Sequence, residues 1–248
     1  MTLSRVNLIL FEPGETDRPM PRSDRRARHI LEVLRRGIGD PFDVGLINGP
    51  RGKATLGSVN DTALTLSFVW ETNLPSSEPI TLIVGLPRPQ TARDILRDAT
   101  TLGIGALHFV RTEKGDANYA QSSLWTSAEW RRHAIAGAEQ AFATRLPEIT
   151  HSQTLATALT TLPSATTRLA LDNYEATAAL SQTAVPRDAS VTLAIGGERG
   201  WSAAERAVLR THGFTLVHLG ARVLRTETAV TVALALVRAQ LGLMSALH

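Results

Sequence analysis

The sequence predicts an α/β protein in which a parallel sheet with helices on its faces follows a small β-barrel. From residue 80 onward, strand-like and helix-like segments alternate, which is typical of a parallel sheet. Before residue 73, short strand-like segments surround a single helix, which is typical of a small barrel. The segment NLPSSEP (73–79), with two prolines and two serines, separates the two patterns. We therefore predict two domains, residues 1–72 and 79–248.

The N-terminal part contains four segments with alternating or β-branched apolar residues, joined by turns such as NGPRG and VNDT. These predicted strands span residues 5–11, 42–48, 53–59 and 63–70. One helix is predicted in DRRARHILEVLRR (24–36), because four apolar residues follow the spacing i, i+3, i+4, i+7. Those residues are Ala27, Ile30, Leu31 and Leu34. Asp24 marks the start of this helix and Gly37 marks its end.

The second part alternates between the two kinds of element. Its predicted strands span residues 80–86, 106–110, 168–172, 191–197 and 214–220. Its predicted helices span residues 88–103, 127–142, 153–162, 202–213 and 226–243. Ligands of such sheets bind at the carboxyl ends of the strands, so the loops that follow the strands are the candidate site.

Composition narrows the class of protein. A hydrophobic fraction of 43% is sufficient for a folded core. Cysteine is absent, which excludes disulfides and thiolate catalysis and fits a reducing compartment. The N-terminus does not resemble a signal peptide, and no run of 18 apolar residues occurs. We therefore expect a cytoplasmic protein with no membrane partner. The seven histidines (29, 108, 133, 151, 212, 218, 248) lack paired ligand spacing, so no metal site is expected.

The basic residues are almost all arginine. Lysine occurs only at Lys53 and Lys114 among 26 basic residues, and the net charge is +3. Arginine binds phosphate in a bidentate manner and stacks on bases, which favours contact with nucleic acid. A GC-rich genome would produce the same bias through codon usage, and composition alone leaves both interpretations open.

Three strand-end loops concentrate glycine and charge, at residues 169–175, 194–202 and 219–228. In the second loop, Gly196, Gly197 and Gly200 allow a backbone to approach a ligand closely. Ser202 and Glu205 form a capping box for the next helix. The loop matches neither the dinucleotide-binding fingerprint nor the P-loop. A nucleotide-binding loop and a tight turn with a capping serine are both compatible with this pattern.

One long segment, IGGERGWSAAERAVLRTHGFTLVHLGARVLRTETA (195–229), resembles the C-terminal signature of a known family. The family is that of the ribosomal RNA small subunit methyltransferase E, in the knotted SPOUT class of S-adenosylmethionine-dependent RNA methyltransferases. The order of RHILEVLRRGIGD (28–40), AEQ (138–140) and RLPEI (145–149) is also similar, so the resemblance spans nearly the whole chain.

The resemblance implies a fold and a state of assembly. The second domain would be a SPOUT domain whose C-terminal helix is threaded through a preceding loop in a trefoil knot, and the first would be PUA-like. The predicted last helix is apolar almost all round from Val230 to Leu241, interrupted only by Arg238 and Gln240. A helix apolar on every side must be buried on every side. Packing in the knot and a homodimer interface would together bury it.

The resemblance also implies the activity, which is methylation of N3 of a uridine in 16S ribosomal RNA, with the small ribosomal subunit as partner. Arg225 would be the catalytic or substrate-orienting group, Glu198 a catalytic carboxylate, and Glu227 structural. The implied cofactor-binding residues come from the three loops: Leu171, Asp172, Ile195, Gly196, Gly197, Gly200, Leu219, Gly220, Arg222, Val223 and Leu224.

The resemblance of the first domain to PUA-like domains implies RNA contact by arginines of the N-terminal helix, opposite its apolar face. The predicted RNA-binding residues are Arg22, Arg25, Arg28, Arg35, Arg36 and, further along the chain, Arg145. A solvated helix face, partly balanced by Asp24 and Glu32, is the alternative interpretation.

The chain departs from the family pattern at several positions. The family usually has proline where this chain has Gly197, glycine at Arg199, glutamate at Thr101, and a small residue, glycine and arginine at 141–143. These departures leave two alternatives open: a related methyltransferase with another RNA target, and an RNA-binding or assembly protein whose catalysis has decayed.

Overall fold

The structure is a computed structural model that describes residues 8–163 and 167–245. The chain divides into two compact units. The first unit consists of residues 1–76 and 135–146, and the second consists of residues 77–134 and 147–248. The return of residues 135–146 to the first unit is a feature that the sequence-based division at 73–79 does not include. The predicted strand residues 5–7 and His248 lie outside the described residues.

The first unit contains a five-stranded sheet and one short helical segment. The strands are β1 (Ile9–Phe11), β2 (Met20–Pro21), β3 (Pro41–Leu46), β4 (Arg51–Val59) and β5 (Ala63–Trp70). Their order in the sheet is β1-β3-β4-β5-β2, with β1 parallel to β3 and the other pairs antiparallel. Apolar side chains of this sheet pack against Ala27 and Ile30 of the helical segment, which forms the core of the unit.

The helical segment is shorter than the sequence predicts. Asp24 caps it as expected, because its carboxylate accepts a hydrogen bond from the N–H of Arg26 (2.8 Å). α1 then spans only Arg25–Arg28 and continues as a π-helical turn, His29–Val33. The expectation of one helix through Arg36 is therefore wrong. The wider turn ends with Leu34 donating to the carbonyl of His29 (2.9 Å), and Arg35 adopts a left-handed conformation (φ 52°) that no helix can continue.

The second unit alternates strands and helices as predicted. Its strands are β6 (Glu78–Gly85), β7 (Ile104–Arg111), β8 (Glu148–Thr154), β9 (Thr167–Leu171), β10 (Ala178–Ala179), β11 (Val191–Ile195) and β12 (Thr215–His218). Its helices are α2 (Pro89–Thr101), α3 (Ser123–Thr126), α4 (Glu129–Gln140), α5 (Leu155–Thr160), α6 (Ala203–Thr211) and α7 (Thr226–Gln240). Two short 3-10 helices, Ala117–Gln121 and Leu180–Gln182, complete it. The end of α4, from Ile135, belongs to the first unit.

The seven strands form one sheet in the order β10-β12-β9-β11-β6-β7-β8, and every pairing is parallel. This confirms the predicted parallel sheet. Successive residues of a strand face opposite sides of a sheet. Accordingly, Leu82 and Val84 of β6 belong to one buried cluster, with residues of α2 and α7, whereas Ile83 belongs to another, with residues of α5 and the end of α6.

α7 buries one side and exposes the other within the chain. Its buried residues are Thr226, Ala229, Val230, Ala233, Leu234 and Val237. Thr228, Thr231, Val232 and Ala239 are exposed. Arg238 is paired with Glu78 of β6 (2.7 Å), so it does not place a free charge on that helix. Within residues 8–163 and 167–245, no helix is both long enough and apolar enough to cross a membrane.

Candidate active site

A cleft of about 480 Å³ lies where three loops of the second unit meet. The loops follow β9, β11 and β12, which are neighbours in the sheet. Because all three strands are parallel, their carboxyl ends lie at the same edge, where open α/β sheets bind ligands. Arg88 and Thr91, at the start of α2, complete the lining.

The cleft brings together nearly all the predicted site residues. Both predicted catalytic residues, Arg225 and Glu198, line it. Ten of the eleven predicted cofactor-binding residues also line it: Leu171, Asp172, Ile195, Gly196, Gly197, Gly200, Leu219, Arg222, Val223 and Leu224. Gly220 is not part of the lining. Sequence reasoning missed Tyr174 and Arg199, which also border the cleft.

The loop after β11 is a tight turn made from glycine. The N–H of Gly200 donates to the carbonyl of Gly197 (2.9 Å), and Gly200 has a φ of +62°. A Cβ at Gly196 would lie only 2.8 Å from the Cα of Gly200, so a side chain there would force the turn open. The predicted capping box is confirmed: Ser202 Oγ accepts from the N–H of Glu205, and the Glu205 carboxylate accepts from the N–H of Ser202 (2.8 Å).

The loop after β9 is ordered by a buried carboxylate. Asp172 Oδ1 accepts hydrogen bonds from the N–H groups of Tyr174 (2.9 Å) and Glu175 (2.6 Å). Arg206 of α6 lies 3.5 Å from the other Asp172 oxygen and also pairs with Glu175. Hydrogen bonds from Arg210 and Arg206 lower the pKa of Glu175. The Asp172 carboxylate therefore holds the loop in place, and its main chain lines the cleft.

The loop from 219 to 225 offers main-chain groups to a ligand. Among the described residues, the N–H groups of residues 221–225 donate to no acceptor of the chain. Leu219 and Leu224 are partly buried against the core below. The side chains of Arg222 and Arg225 are exposed and have no ion-pair or hydrogen-bond partner in the part of the chain that the structure describes. Arg225 occupies the N-cap position of α7, with its main chain extended (φ −64°, ψ 154°).

The donor set of the cleft fits an adenosyl group. Free main-chain N–H groups, together with carbonyls at the strand ends, can bond a neutral heterocycle on its edge. The aliphatic side chains of Leu171, Ile195, Leu219 and Leu224 can cover its faces. These residues are compatible with S-adenosylmethionine, the cofactor that the resemblance implies. Within the described residues, no group of three or more His, Cys, Asp or Glu side chains could hold a metal ion.

Glu198 connects the glycine turn to α2. Its carboxylate accepts a hydrogen bond from the N–H of Arg88 (2.9 Å), the N-cap residue of α2. The Arg88 guanidinium lies 4.0 Å away, and both side chains are well exposed. The second carboxylate oxygen of Glu198 has no hydrogen-bond partner among the described residues, so it is available to accept a proton.

The predicted RNA-binding arginines belong to the first unit and differ in their surroundings. Arg25 and Arg28 are exposed and border a pocket of about 450 Å³ whose lining includes Glu139. Arg35 is exposed but lies beyond the helical segment. Arg36 is half-buried, with its Nε shielded from solvent. Arg22 donates to the carbonyl of Asn60 (3.1 Å), and Arg145 is exposed. The expectation of one continuous arginine stripe on a helix is therefore wrong, because the helical segment ends at Val33.

A family model for an RNA methyltransferase domain matches residues 74–238. This match covers the parallel sheet and all three loops of the cleft, so fold and site together define an RNA methyltransferase domain.

The relatives narrow this class. A ribosomal RNA small subunit methyltransferase E from Treponema pallidum is 36% identical over 94% of this chain and 91% of that protein. A protein of the same description from Synechocystis is 33% identical over 86% of this chain and 70% of that protein. The chain belongs to the ribosomal RNA small subunit methyltransferase E family.

Solved structures have the same fold. A crystal structure of a ribosomal RNA small subunit methyltransferase E from Neisseria gonorrhoeae, described as bound to S-adenosyl methionine, has a TM-score of 0.79 at 24% identity. The match covers 94% of this chain and 97% of that chain. A structure of a putative methyltransferase from Legionella pneumophila, described as a complex with the same cofactor, has a TM-score of 0.77 at 21% identity, covering 95% and 98%.

Proposed function

We propose that this protein transfers a methyl group from S-adenosylmethionine to N3 of a uridine in 16S ribosomal RNA. The observation that carries the proposal is the cleft in which main-chain donors and aliphatic walls adjoin the free guanidiniums of Arg222 and Arg225. The relatives described as small subunit methyltransferases support the RNA target, and the Neisseria structure supports the cofactor. Such an enzyme works in the cytoplasm, where ribosomes are assembled.

The three loops would hold the cofactor through their main chains. Leu171, Ile195, Leu219 and Leu224 would enclose its adenosine, and the glycines of the turn would allow close approach. When bound, the cofactor supplies an electrophilic methyl group on its sulfonium. The cleft must place the uridine nitrogen in line with that methyl group, which is a positioning task.

Arg225 and Glu198 would assist the displacement. As the nitrogen–carbon bond forms and the carbon–sulfur bond breaks, the proton on N3 must leave and charge develops on the uracil carbonyl oxygens. Arg225 would donate hydrogen bonds to that charge, as preorganised donors do in other active sites. The free oxygen of Glu198 would accept the proton and release it to solvent. Glu227, in the first turn of α7, would stabilise the helix N-terminus.

The finer features of the fold belong to the same proposal. α7 would be threaded through a preceding loop in a trefoil knot, and the first unit would be a PUA-like barrel. The exposed side of α7 has no free charge from Thr228 to Ala239, which supports a homodimer formed through this helix. Arg25, Arg28 and Arg35 would contact the RNA backbone, and Arg22, Arg36 and Arg145 would be further contacts.

Mapping of modified nucleosides tests the proposal. Ribosomal RNA from a deletion strain is expected to lack one N3-methyluridine, and the purified protein with labelled cofactor is expected to restore it. Restoration of a different modification would indicate another target. Failure of isothermal titration to detect S-adenosylmethionine binding, with RNA present, would indicate a protein whose catalysis has decayed.

A further inference from the structure

A second groove adjoins the cleft and shares part of its wall. It has a volume of about 440 Å³, and both cavities are lined by Arg88 and by residues 197–200. The rest of the groove comes mainly from the loop after β7, residues 112–116, and from Tyr119. The loop after β7 belongs to none of the three strand ends assigned to the cofactor.

The groove contains two cations that no carboxylate neutralises. Among the described residues, Lys114 Nζ donates hydrogen bonds only to main-chain oxygens, those of Trp201 (3.0 Å) and Arg199 (3.5 Å). The exposed side chain of Arg199 has no ion-pair or hydrogen-bond partner in the described part of the chain. Glu198 lies nearest to the third cation, Arg88. The carboxylate of Asp116 also lines the groove and caps the 3-10 helix by accepting from Asn118 N–H.

Lys114 lies between the groove and the cleft. Its ammonium is 5.8 Å from the centre of the Tyr174 ring, and Tyr174 lines the cleft. Tyr174 is 73% exposed, and the Arg206 guanidinium lies 5.6 Å from the centre of its ring. A nucleotide in the cleft would therefore have a cation and an exposed aromatic side chain beside it.

We propose that the groove binds a phosphate of the RNA backbone next to the methylated nucleotide, with Lys114 and Arg199 as its cationic contacts. This inference rests on the proposed function. A target nucleotide remains attached to its strand, so the cavity that shares a wall with the cleft receives the adjacent backbone. Exposed cations without carboxylate partners suit phosphate, Arg199 as a bidentate donor and Lys114 as a point charge.

Mutations can distinguish the contribution of the groove to RNA binding from that of the cleft to cofactor binding. Arg199→Gln and Lys114→Gln each remove one charge, and Arg187→Gln removes an exposed arginine of the same unit that lines neither cavity. We expect Arg199→Gln and Lys114→Gln each to weaken binding of a small-subunit ribosomal RNA fragment by about 10-fold or more, in the range of a hydrogen bond to a charged group. The affinity for S-adenosylmethionine should stay within twofold for Lys114→Gln, because Lys114 lines the groove and not the cleft. Lys114→Arg should restore RNA binding.

Phosphate ethylation identifies the contact. RNA molecules that carry randomly ethylated phosphates are separated into those that bind the protein and those that do not. The positions at which ethylation prevents binding are then mapped. For the unaltered chain, one phosphate beside the target uridine should interfere, and Arg199→Gln should reduce that interference. Arg187→Gln should leave it unchanged.

The outcomes separate this inference from the proposed function. If the unaltered chain methylates RNA but Arg199→Gln and Lys114→Gln bind RNA like Arg187→Gln, the groove does not bind the backbone and the methyltransferase assignment stands. If the unaltered chain neither binds nor methylates the RNA, the proposed function fails and the inference fails with it.

Discussion

Arg225 has a fixed main chain and a free side chain. Its carbonyl accepts a hydrogen bond from the N–H of Ala229 (2.8 Å) at the start of α7, so the residue is anchored to the helix. Its guanidinium remains exposed beside the cleft without a partner among the described residues. An anchored backbone with a free charged group is the arrangement expected of a preorganised donor.

Arg225→Ala is expected to lower the rate of methyl transfer by about 10²–10³-fold, the cost of losing one preorganised donor, which is about 2.7–4 kcal/mol. The melting temperature should hardly change because the side chain is exposed. Single-turnover methylation with labelled cofactor measures the rate. Arg225→Lys is the matched control, since it keeps the positive charge and loses the planar guanidinium with its paired N–H donors. Full turnover by Arg225→Ala would remove this residue from the mechanism.

Glu205 is a structural carboxylate close to the site. It is buried, and its two oxygens accept from the N–H groups of Ser202 (2.8 Å) and Glu113 (2.9 Å). It thus connects the loop after β7 to the start of α6.

Glu205→Ala would leave the N–H groups of Ser202 and Glu113 without their acceptor, and the buried donor of Ser202 costs about 1–3 kcal/mol when it is unsatisfied. We expect a lower free energy of unfolding in urea, with a smaller loss for Glu205→Gln, which keeps one acceptor oxygen. Glu113→Gln alters an exposed side chain of the same loop and should be near neutral. Equal stability of Glu205→Ala and the unaltered chain would contradict the role of this carboxylate.

At the level of elements, the sequence predicts those whose apolar pattern is strong. β6, β9, β11 and β12 were predictable because their apolar runs are bounded by turns or glycines. β8, with the sequence EITHSQT, was missed because it is mostly polar and lies half-buried at the edge of the sheet. The π-helical turn after α1 was also missed, since the same apolar spacing fits an ordinary helix.

The three loops of the site were predictable because they follow strands with a strong apolar pattern, whereas side chains positioned by distant contacts were not. The three loops follow strands that the pattern identifies, and a parallel sheet places their ends together. Lys114 and Tyr174 were not predicted, because their positions depend on contacts across the sheet with Trp201 and Arg206. Local sequence contains no signal for contacts of that kind.

The pKa values of two carboxylates of the first unit are shifted in opposite directions. Burial raises the pKa of Glu139, near the end of α4, above its usual value. A hydrogen bond from Arg26 lowers the pKa of Glu15. A carboxyl group whose pKa is higher in the folded protein than in the unfolded chain, where it is near 4.5, stabilises the fold at a pH below 4.5. This contribution to the free energy of unfolding is lost as the pH rises through the folded-state pKa. A carboxyl group whose pKa is lower in the folded protein stabilises the fold at a pH above the pKa of the unfolded chain. This contribution is lost as the pH falls through the folded-state pKa.

Glu139→Gln is therefore expected to stabilise the first unit at neutral pH, with the gain shrinking as the pH falls toward 4.5. The amide oxygen can still accept the hydrogen bond from the N–H of Leu10. Glu15→Gln, the matched variant, should destabilise the unit at neutral pH, with the difference shrinking below pH 4.5. Hydrogen exchange of β3–β5 against pH measures both. The same sign for the two variants would refute the assignment.

For the whole molecule, α7 determines the expected state of assembly. From Thr228 to Ala239, its exposed side combines threonine and alanine with Val232, which is 36% exposed, and has no free charge because Arg238 is paired with Glu78. A surface of this kind is typical of a helix that packs against a second copy.

Val232→Glu is expected to convert a homodimer into a monomer at micromolar concentration, because it places a charge in an apolar interface. Light scattering measures the mass. Thr211→Glu adds the same charge at an exposed position of α6 and should leave the dimer intact. A stable monomer for the unaltered chain would rule out this interface.

We expect the second unit to bind the cofactor and the first unit to bind RNA, and the salt dependence of RNA binding tests this expectation. The cleft that would hold the cofactor is built entirely from residues of the second unit, whereas the exposed arginines Arg25, Arg28 and Arg35 belong to the first. Changing these three arginines to glutamine should leave the affinity for S-adenosylmethionine unchanged. Arg36 is left intact because its Nε is buried, so its loss would disturb the fold.

RNA binding by the triple variant should weaken and depend less on salt. Each phosphate contact adds about 0.7 to the slope of log affinity against log salt for a single strand, so three lost contacts should reduce the slope by about 2. Arg51→Gln is the control, since Arg51 is an exposed arginine of the same unit that is not among the predicted RNA-binding residues. Superimposable lines for the triple variant and the unaltered chain would mean that these arginines do not touch RNA. The phosphate contacts would then have to come from elsewhere, and Arg145 and the groove with Lys114 and Arg199 would be the next residues to test.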